Sequence, residues 1–184
     1  QIQLPNIIDI YPHLNGMVNW ESINPALRFP DITLPKKRLI IGVPTAQRQN
    51  ASYLVPSLEQ LFKNARAEDL KKMRIIVMIA DLNGTSSNFV QHTLKTLKEH
   101  FMDYFNSGLL QVLVPPAEWY PDISLIPPNL NDTAERMYWR TKQNLDFAYL
   151  MIYSARMGEL YLQLEDDIEV AQDYTQVYLC RCHI

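Results

Sequence analysis

Four short, nearly continuous apolar runs constrain the fold of this chain more than any other feature. They lie at 39–43, 74–80, 109–114 and 160–164. Runs of this length are typical of strands buried on both faces of a sheet. The segments between them, around 53–62, 89–105 and 133–157, carry apolar residues at helical spacing. This alternation predicts an α/β fold, with a Rossmann-like, mostly parallel sheet and helices on both faces.

The 184 residues have room for one domain of ordinary size. Residues 1–36 contain five prolines and no sustained period, so we expect an irregular stem or an arm lying against the domain. Residues 37–178 form the predicted domain, and residues 179–184 form a divergent tail. Within the domain, Gly158 is interpreted as the stop of the third helix.

Net charge and composition argue against two partners for these residues, a nucleic acid and a lipid bilayer. The net charge of −3 gives no electrostatic basis for nucleic-acid binding. No run is apolar enough to cross a bilayer, and the chain begins with Gln1, so we expect any membrane association to need a segment outside this sequence. Glycosylation sequons begin at Asn50, Asn83 and Asn131, where loops are expected, and they favour a secretory lumen.

An acidic triplet, Glu165-Asp166-Asp167, directly follows the fourth predicted strand. Three adjacent carboxylates repel one another, and a divalent cation relieves that repulsion. Mg²⁺ or Mn²⁺ commonly binds one or two carboxylates together with substrate phosphates. Because ligands bind beyond the carboxyl ends of parallel strands, the triplet predicts a metal and diphosphate site. A solvated acidic turn is the alternative.

Other polar side chains are expected near the same edge of the sheet. Thr45 and Arg48 follow the first predicted strand, and Asp81 follows the second. The helix before the acidic triplet carries Arg140, Lys142 and Asn144, of which Arg140 and Asn144 share one side. Such a cationic and amide face suits a phosphate group, and a wet basic face is the alternative.

Five segments occur in a characteristic order and spacing. They are GVPTAQR at 42–48, SYL at 52–54, PPAEWYPD at 115–122, RTKQNLD at 140–146 and LQLEDDI at 162–168. Together they resemble the conserved region of the α-1,3-mannosyl-glycoprotein 4-β-N-acetylglucosaminyltransferases. The resemblance covers roughly residues 38–178. Its most specific parts are RTKQNLD and LEDD.

The resemblance implies a GT-A-type fold, here C-terminally truncated, and a type II protein of the Golgi or endoplasmic reticulum lumen. It implies transfer of N-acetylglucosamine from UDP-N-acetylglucosamine to the 4-position of an N-glycan mannose, with inversion. The triplet matches the family's DxD-like motif, in which Asp167 would bind Mn²⁺. Glu165 and Asp166 would lie toward the nucleotide. Pro44, Thr45, Arg48 and Asp81 match positions near the nucleotide.

The resemblance also leaves an alternative open. The chain ends 17 residues after Asp167, before the part in which relatives would hold the acceptor and the catalytic base. We therefore expect these residues alone to bind the donor without transferring sugar. One reading is the donor half of an active transferase. The other is a catalytically inactive relative that binds and regulates other Golgi glycosyltransferases.

Overall fold

The computed structural model describes residues 24–48, 52–127 and 131–179. Its strands are β1 (Leu27–Phe29), β2 (Lys37–Thr45), β3 (Met73–Ile79), β4 (Leu110–Val114) and β5 (Gly158–Gln163). Its α-helices are α1 (Leu54–Asn64), α2 (Ala67–Leu70), α3 (Asn88–Asn106), α4 (Ala134–Ser154) and α5 (Thr175–Leu179). Short 3-10 turns lie at Gly84–Ser86, Ala117–Trp119 and Ile123–Leu125.

The predicted α/β fold is confirmed. The five strands form one sheet in the order β1-β4-β3-β2-β5. The pairs β4-β3, β3-β2 and β2-β5 are parallel, and only β1 is antiparallel, to β4. Every residue of the central strand β3 is buried, as expected for a strand covered on both faces.

Helices cover both faces of the sheet, as predicted. One face packs against α1 and α3 through a core that includes Leu58, Leu97 and Phe101. The other face packs against α4 and the 3-10 turn Ala117–Trp119, through Trp119, Tyr149 and Leu150. Thr133 caps α4 by accepting a 3.2 Å hydrogen bond from the backbone N–H of Arg136. None of the helices in the described ranges is both long enough and apolar enough to cross a membrane.

Part of the N-terminal arm joins the sheet. Leu27 pairs with Val114 at the start of β1, and three residues are too few to show a period in the sequence. Arg74, which is buried within β3, donates to the carbonyl oxygens of Pro35 at 2.8 Å and Gly108 at 3.0 Å. Residues 27–35 therefore lie against the domain as an extended segment.

The prediction that Gly158 stops a helix is wrong. Helix α4 ends at Ser154, and Gly158 is the first residue of β5, where it pairs with Lys37 of β2. A Cβ at this position would lie 2.6 Å from Cγ1 of Ile40. Close packing between strands, and not a left-handed helix end, explains the glycine.

The strand order fixes the ligand-binding edge. Numbered among the parallel strands alone, the order is 3-2-1-4, so the chain direction across the sheet reverses between β2 and β5. Ligands of open α/β sheets bind at such a switch point, beyond the carboxyl ends of the strands. Gly42 of β2 pairs with Gln163 of β5, which brings the residues after Thr45 beside the acidic triplet.

Candidate functional site

A cavity of about 1010 Å³ opens at this switch point. Its walls are the loop after β2, the start of the acidic turn and the N-terminal half of α4. Seven of the residues predicted from sequence line it: Pro44, Thr45, Arg48, Arg140, Lys142, Glu165 and Asp166. Pro44 and Asp166 are 122 positions apart in the sequence, and the fold brings both to one concave surface.

Asp166 is the most firmly held member of the triplet. It is buried, with 5% of its surface exposed. Its Oδ2 accepts a 2.6 Å hydrogen bond from the Thr45 hydroxyl, and its Oδ1 accepts a 2.5 Å bond from Nη2 of Arg48. The hydroxyl of Ser57, on α1, donates to the Asp166 carbonyl oxygen at 2.9 Å. These contacts tie the acidic turn to β2 and α1.

Asp167 lies at the surface of the same turn. Its Oδ2 accepts a 3.0 Å hydrogen bond from Nη1 of Arg48, and 39% of its side chain is exposed. That hydrogen bond is the main cause that raises the pKa of Arg48, and the charge of Asp166 adds to it. An arginine therefore supplies part of the positive charge that the sequence interpretation assigned to a divalent cation.

The acidic turn fits a metal only as a partial site. Within the described ranges, no three His, Cys, Asp or Glu side chains are placed to share an ion. Asp167 is half-exposed, and the exposed Glu165 has no side-chain partner among the described residues. One or two carboxylates suffice for Mg²⁺ or Mn²⁺ when substrate phosphates complete the coordination. The donor set suits a metal that arrives with a diphosphate.

A buried polar cluster borders the cavity beneath α4. Lys142 donates to Oδ2 of Asp146 at 2.8 Å and to the Ala80 carbonyl oxygen at 3.1 Å. The hydroxyl of Tyr120 donates to Oδ1 of Asp146 at 2.6 Å. Burial raises the pKa of Asp146, against the opposing effect of the Lys142 charge, and burial also raises the pKa of Tyr120. Lys142 is thus a buried, paired cation, so the wet-face alternative is wrong for this residue.

Sequence reasoning missed the cavity-lining positions of Asp146 and Trp139 and the hydrogen bond from Tyr120 to Asp146. Trp139 lines the cavity with 53% of its surface exposed. Its spacing of three and four positions from Lys142 and Gln143 was the available signal, because it puts all three on one side of a helix. Tyr120 and Asp146 lie in the segments that carried the family resemblance.

The first turns of α4 carry two arginines whose ion-pair partner does not belong to the acidic turn. Arg136 and Arg140 both line the cavity and both pair with Asp132, Arg136 at 3.2 Å. Their side chains are 73% and 45% exposed. They bring two guanidinium groups to this wall of the cavity, which also carries the acidic Glu135 and Asp146.

Three predicted site residues do not line the cavity. Asp167 reaches it only through Arg48. Asp81 accepts hydrogen bonds from the Asn83 backbone at 2.8 Å and the Ser87 hydroxyl at 2.7 Å, and so orders the loop before α3. Asn144 is exposed on α4, outside the cavity-lining set. Nucleotide contacts by Asp81 and Asn144 stay predictions.

The sequons divide between described and undescribed residues. Asn83 and Asn131 are exposed and lie outside the helices and strands, as expected, whereas Asn50 lies outside the described residues. Their glycosylation stays a prediction.

The chain is similar over nearly its whole length to named glycosyltransferases. It is 36% identical over 173 residues to alpha-1,3-mannosyl-glycoprotein 4-beta-N-acetylglucosaminyltransferase A of Gallus gallus, covering 94% of this chain and 31% of that protein. The same enzyme of Rattus norvegicus is 36% identical, with 94% and 32% covered. The B enzyme of Danio rerio is 35% identical, with 94% and 30% covered. The chain therefore spans about a third of the length of these relatives.

No solved structure matches the chain significantly. The family described as the MGAT4 conserved region matches residues 2–179. The chain belongs to this family.

Proposed function

We propose that this chain is the donor-binding part of a glycosyltransferase that moves N-acetylglucosamine from UDP-N-acetylglucosamine to a mannose of an N-glycan. The linkage would be β-1,4, formed with inversion at the anomeric carbon. The observation that carries the proposal is the cavity at the β2–β5 switch point, where the start of an acidic turn and the guanidinium groups of Arg48 and Arg140 line one concave surface.

The chemistry of the cavity matches the parts of a nucleotide sugar. Asp167 and Glu165 offer carboxylate oxygens for a divalent metal, Mn²⁺ in this proposal. Arg48 and Arg140 offer planar guanidinium groups, each of which can donate two parallel hydrogen bonds to phosphate oxygens. The exposed ring of Trp139 offers an apolar face for a base or sugar ring.

In the proposed reaction, a mannose hydroxyl attacks the anomeric carbon while UDP leaves. The metal, when bound, supplies Lewis-acid stabilisation of the charge that develops on the diphosphate. Thr45 and Ser57 hold the acidic turn in place, so its carboxylates are positioned before the ligand arrives. Lys142, buried and paired with Asp146, keeps a positive charge at the floor of the cavity.

The compartment and partners follow from the same proposal. An N-glycan acceptor requires a lumenal site in the secretory pathway, and the Golgi is the compartment we propose. The exposed Asn83 and Asn131 sequons are compatible with a lumenal chain.

The proposal is tested by titrating the chain with UDP in a calorimeter, with and without Mn²⁺. Asp167→Asn removes one anionic ligand and nearly keeps the side-chain shape, so UDP affinity in Mn²⁺ should fall at least about tenfold. Asp173→Asn makes the same chemical change at an exposed residue that does not line the cavity, and it should leave affinity unchanged. Equal affinities of wild type and Asp167→Asn would reject the metal assignment.

Catalysis is tested separately from binding, with UDP-N-acetylglucosamine, Mn²⁺ and a biantennary N-glycan. We expect these residues alone to show no transfer. Transfer would overturn that expectation and would support the enzyme over the inactive relative that regulates other transferases. Donor binding alone does not separate these two readings, because both keep the fold and the cavity.

A further inference from the structure

Arg48 bonds two members of the acidic triplet at once. Its Nη2 lies 2.5 Å from Oδ1 of Asp166, and its Nη1 lies 3.0 Å from Oδ2 of Asp167. The guanidinium also lies over the ring of Tyr53, 5.2 Å from its centroid. One organic cation therefore bridges the carboxylates where a divalent metal is expected.

The two carboxylates that Arg48 bonds differ in burial and in their other hydrogen bonds. Asp166 is buried, with its side chain 8% exposed, and Thr45 supplies a second hydrogen bond. The side chain of Asp167 is 39% exposed, and Arg48 is its partner among the described contacts. An ion pair in contact with water contributes little to stability, whereas breaking a buried one is costly. The bond to Asp167 is thus the half that a ligand can replace.

We propose that Arg48 is an exchangeable internal cation that makes divalent metal and diphosphate bind cooperatively. The proposal rests on the donor-binding function proposed above. A metal that binds Oδ2 of Asp167 must displace Nη1 of Arg48 and leave that nitrogen without an anion. A diphosphate in the cavity supplies the replacement anion, because Arg48 lines the cavity. Nη2 of Arg48 stays bonded to Asp166 while Nη1 changes its partner.

This exchange predicts how metal affinity and UDP affinity depend on each other. Metal alone binds weakly to the wild-type chain, and UDP raises metal affinity because it accepts the released guanidinium. By thermodynamic linkage, metal raises UDP affinity by the same factor. Arg48 is therefore a positioning residue that couples the binding of metal to the binding of UDP.

The test measures Mn²⁺ affinity, by the electron paramagnetic resonance signal of free Mn²⁺, with and without UDP. Arg48→Met removes the competing cation, so Mn²⁺ affinity without UDP should rise about fivefold to tenfold. The enhancement by UDP should shrink by a similar factor. Arg156→Met is the control, since it removes the same charge at an exposed residue that does not line the cavity. It should change Mn²⁺ affinity less than about twofold.

Two results from the variants would overturn the proposal. One is an Arg48→Met chain that binds Mn²⁺ no better than wild type without UDP. The other is an equal gain in both variants, which would show a general charge effect. If Arg48→Met does not fold, Arg48→Gln replaces it, because it also removes the cation but keeps an N–H donor for Asp166. Independent binding of Mn²⁺ and UDP to wild type also rejects cooperativity. Absence of UDP binding in every variant rejects the donor function itself.

Discussion

Thr45→Val tests how the acidic turn is held. The substitution keeps the side-chain volume but removes the hydroxyl that donates a 2.6 Å hydrogen bond to Oδ2 of Asp166. Asp166 is 5% exposed, so water cannot readily replace the donor. Hydrogen bonds to charged groups contribute about 1.5–3 kcal/mol, and we expect the free energy of unfolding to fall by that amount.

Urea unfolding measures this loss, and calorimetry with UDP and Mn²⁺ measures its effect on binding. Thr175→Val is the matched control, because Thr175 is buried and donates a 2.8 Å hydrogen bond to the buried Asp69, away from the cavity. Both variants should lose stability, but only Thr45→Val should lose UDP affinity. A stability loss below about 0.5 kcal/mol for Thr45→Val would refute the view that this hydroxyl secures Asp166.

Other predictions follow from single contacts. Gly42→Ala should destabilise the chain by about 1–3 kcal/mol in urea unfolding, because its Cβ would lie 2.2 Å from the Tyr161 hydroxyl oxygen; an unchanged midpoint would contradict this packing. Burial raises the folded-state pKa of Asp146, so the unfolded chain loses this proton first and stability falls as pH rises through the folded-state pKa. Asp146→Asn should remove that part of the pH dependence, and identical pH profiles would count against it. UDP with Mn²⁺ should change the emission of the exposed Trp139, and Trp139→Phe should abolish the change; a persisting signal would place the ligand elsewhere.

The architecture was predictable because its signals are local. A strand buried on both faces needs a continuous apolar run, and 74–80 shows one that the structure places at Met73–Ile79. The acidic triplet was found for a related reason: three adjacent carboxylates at a strand end are visible without knowing the strand order. Strand β1 was missed because three residues at 27–29 carry no period, and its pairing with β4 is a long-range contact.

The charge pairing within the site was not predictable in the same way. The hydrogen bond from Arg48 to Asp167 joins residues 119 positions apart, and composition gives no sign of it. Lys142 is similar, because its burial depends on Ala80 and Asp146 together and not on helical spacing alone. Sequence reasoning located the charged groups, and tertiary packing determined which of them neutralise one another.

We propose that a metal-bound diphosphate occupies the cavity at the β2–β5 switch point. A crystal structure with UDP and Mn²⁺, using the anomalous signal of manganese, tests it most directly. The account predicts a single strong manganese peak within bonding distance of the Asp167 carboxylate, with diphosphate oxygens between it and Arg48. Manganese and UDP bound outside this cavity, with the Arg48–Asp167 ion pair still formed, would contradict the account.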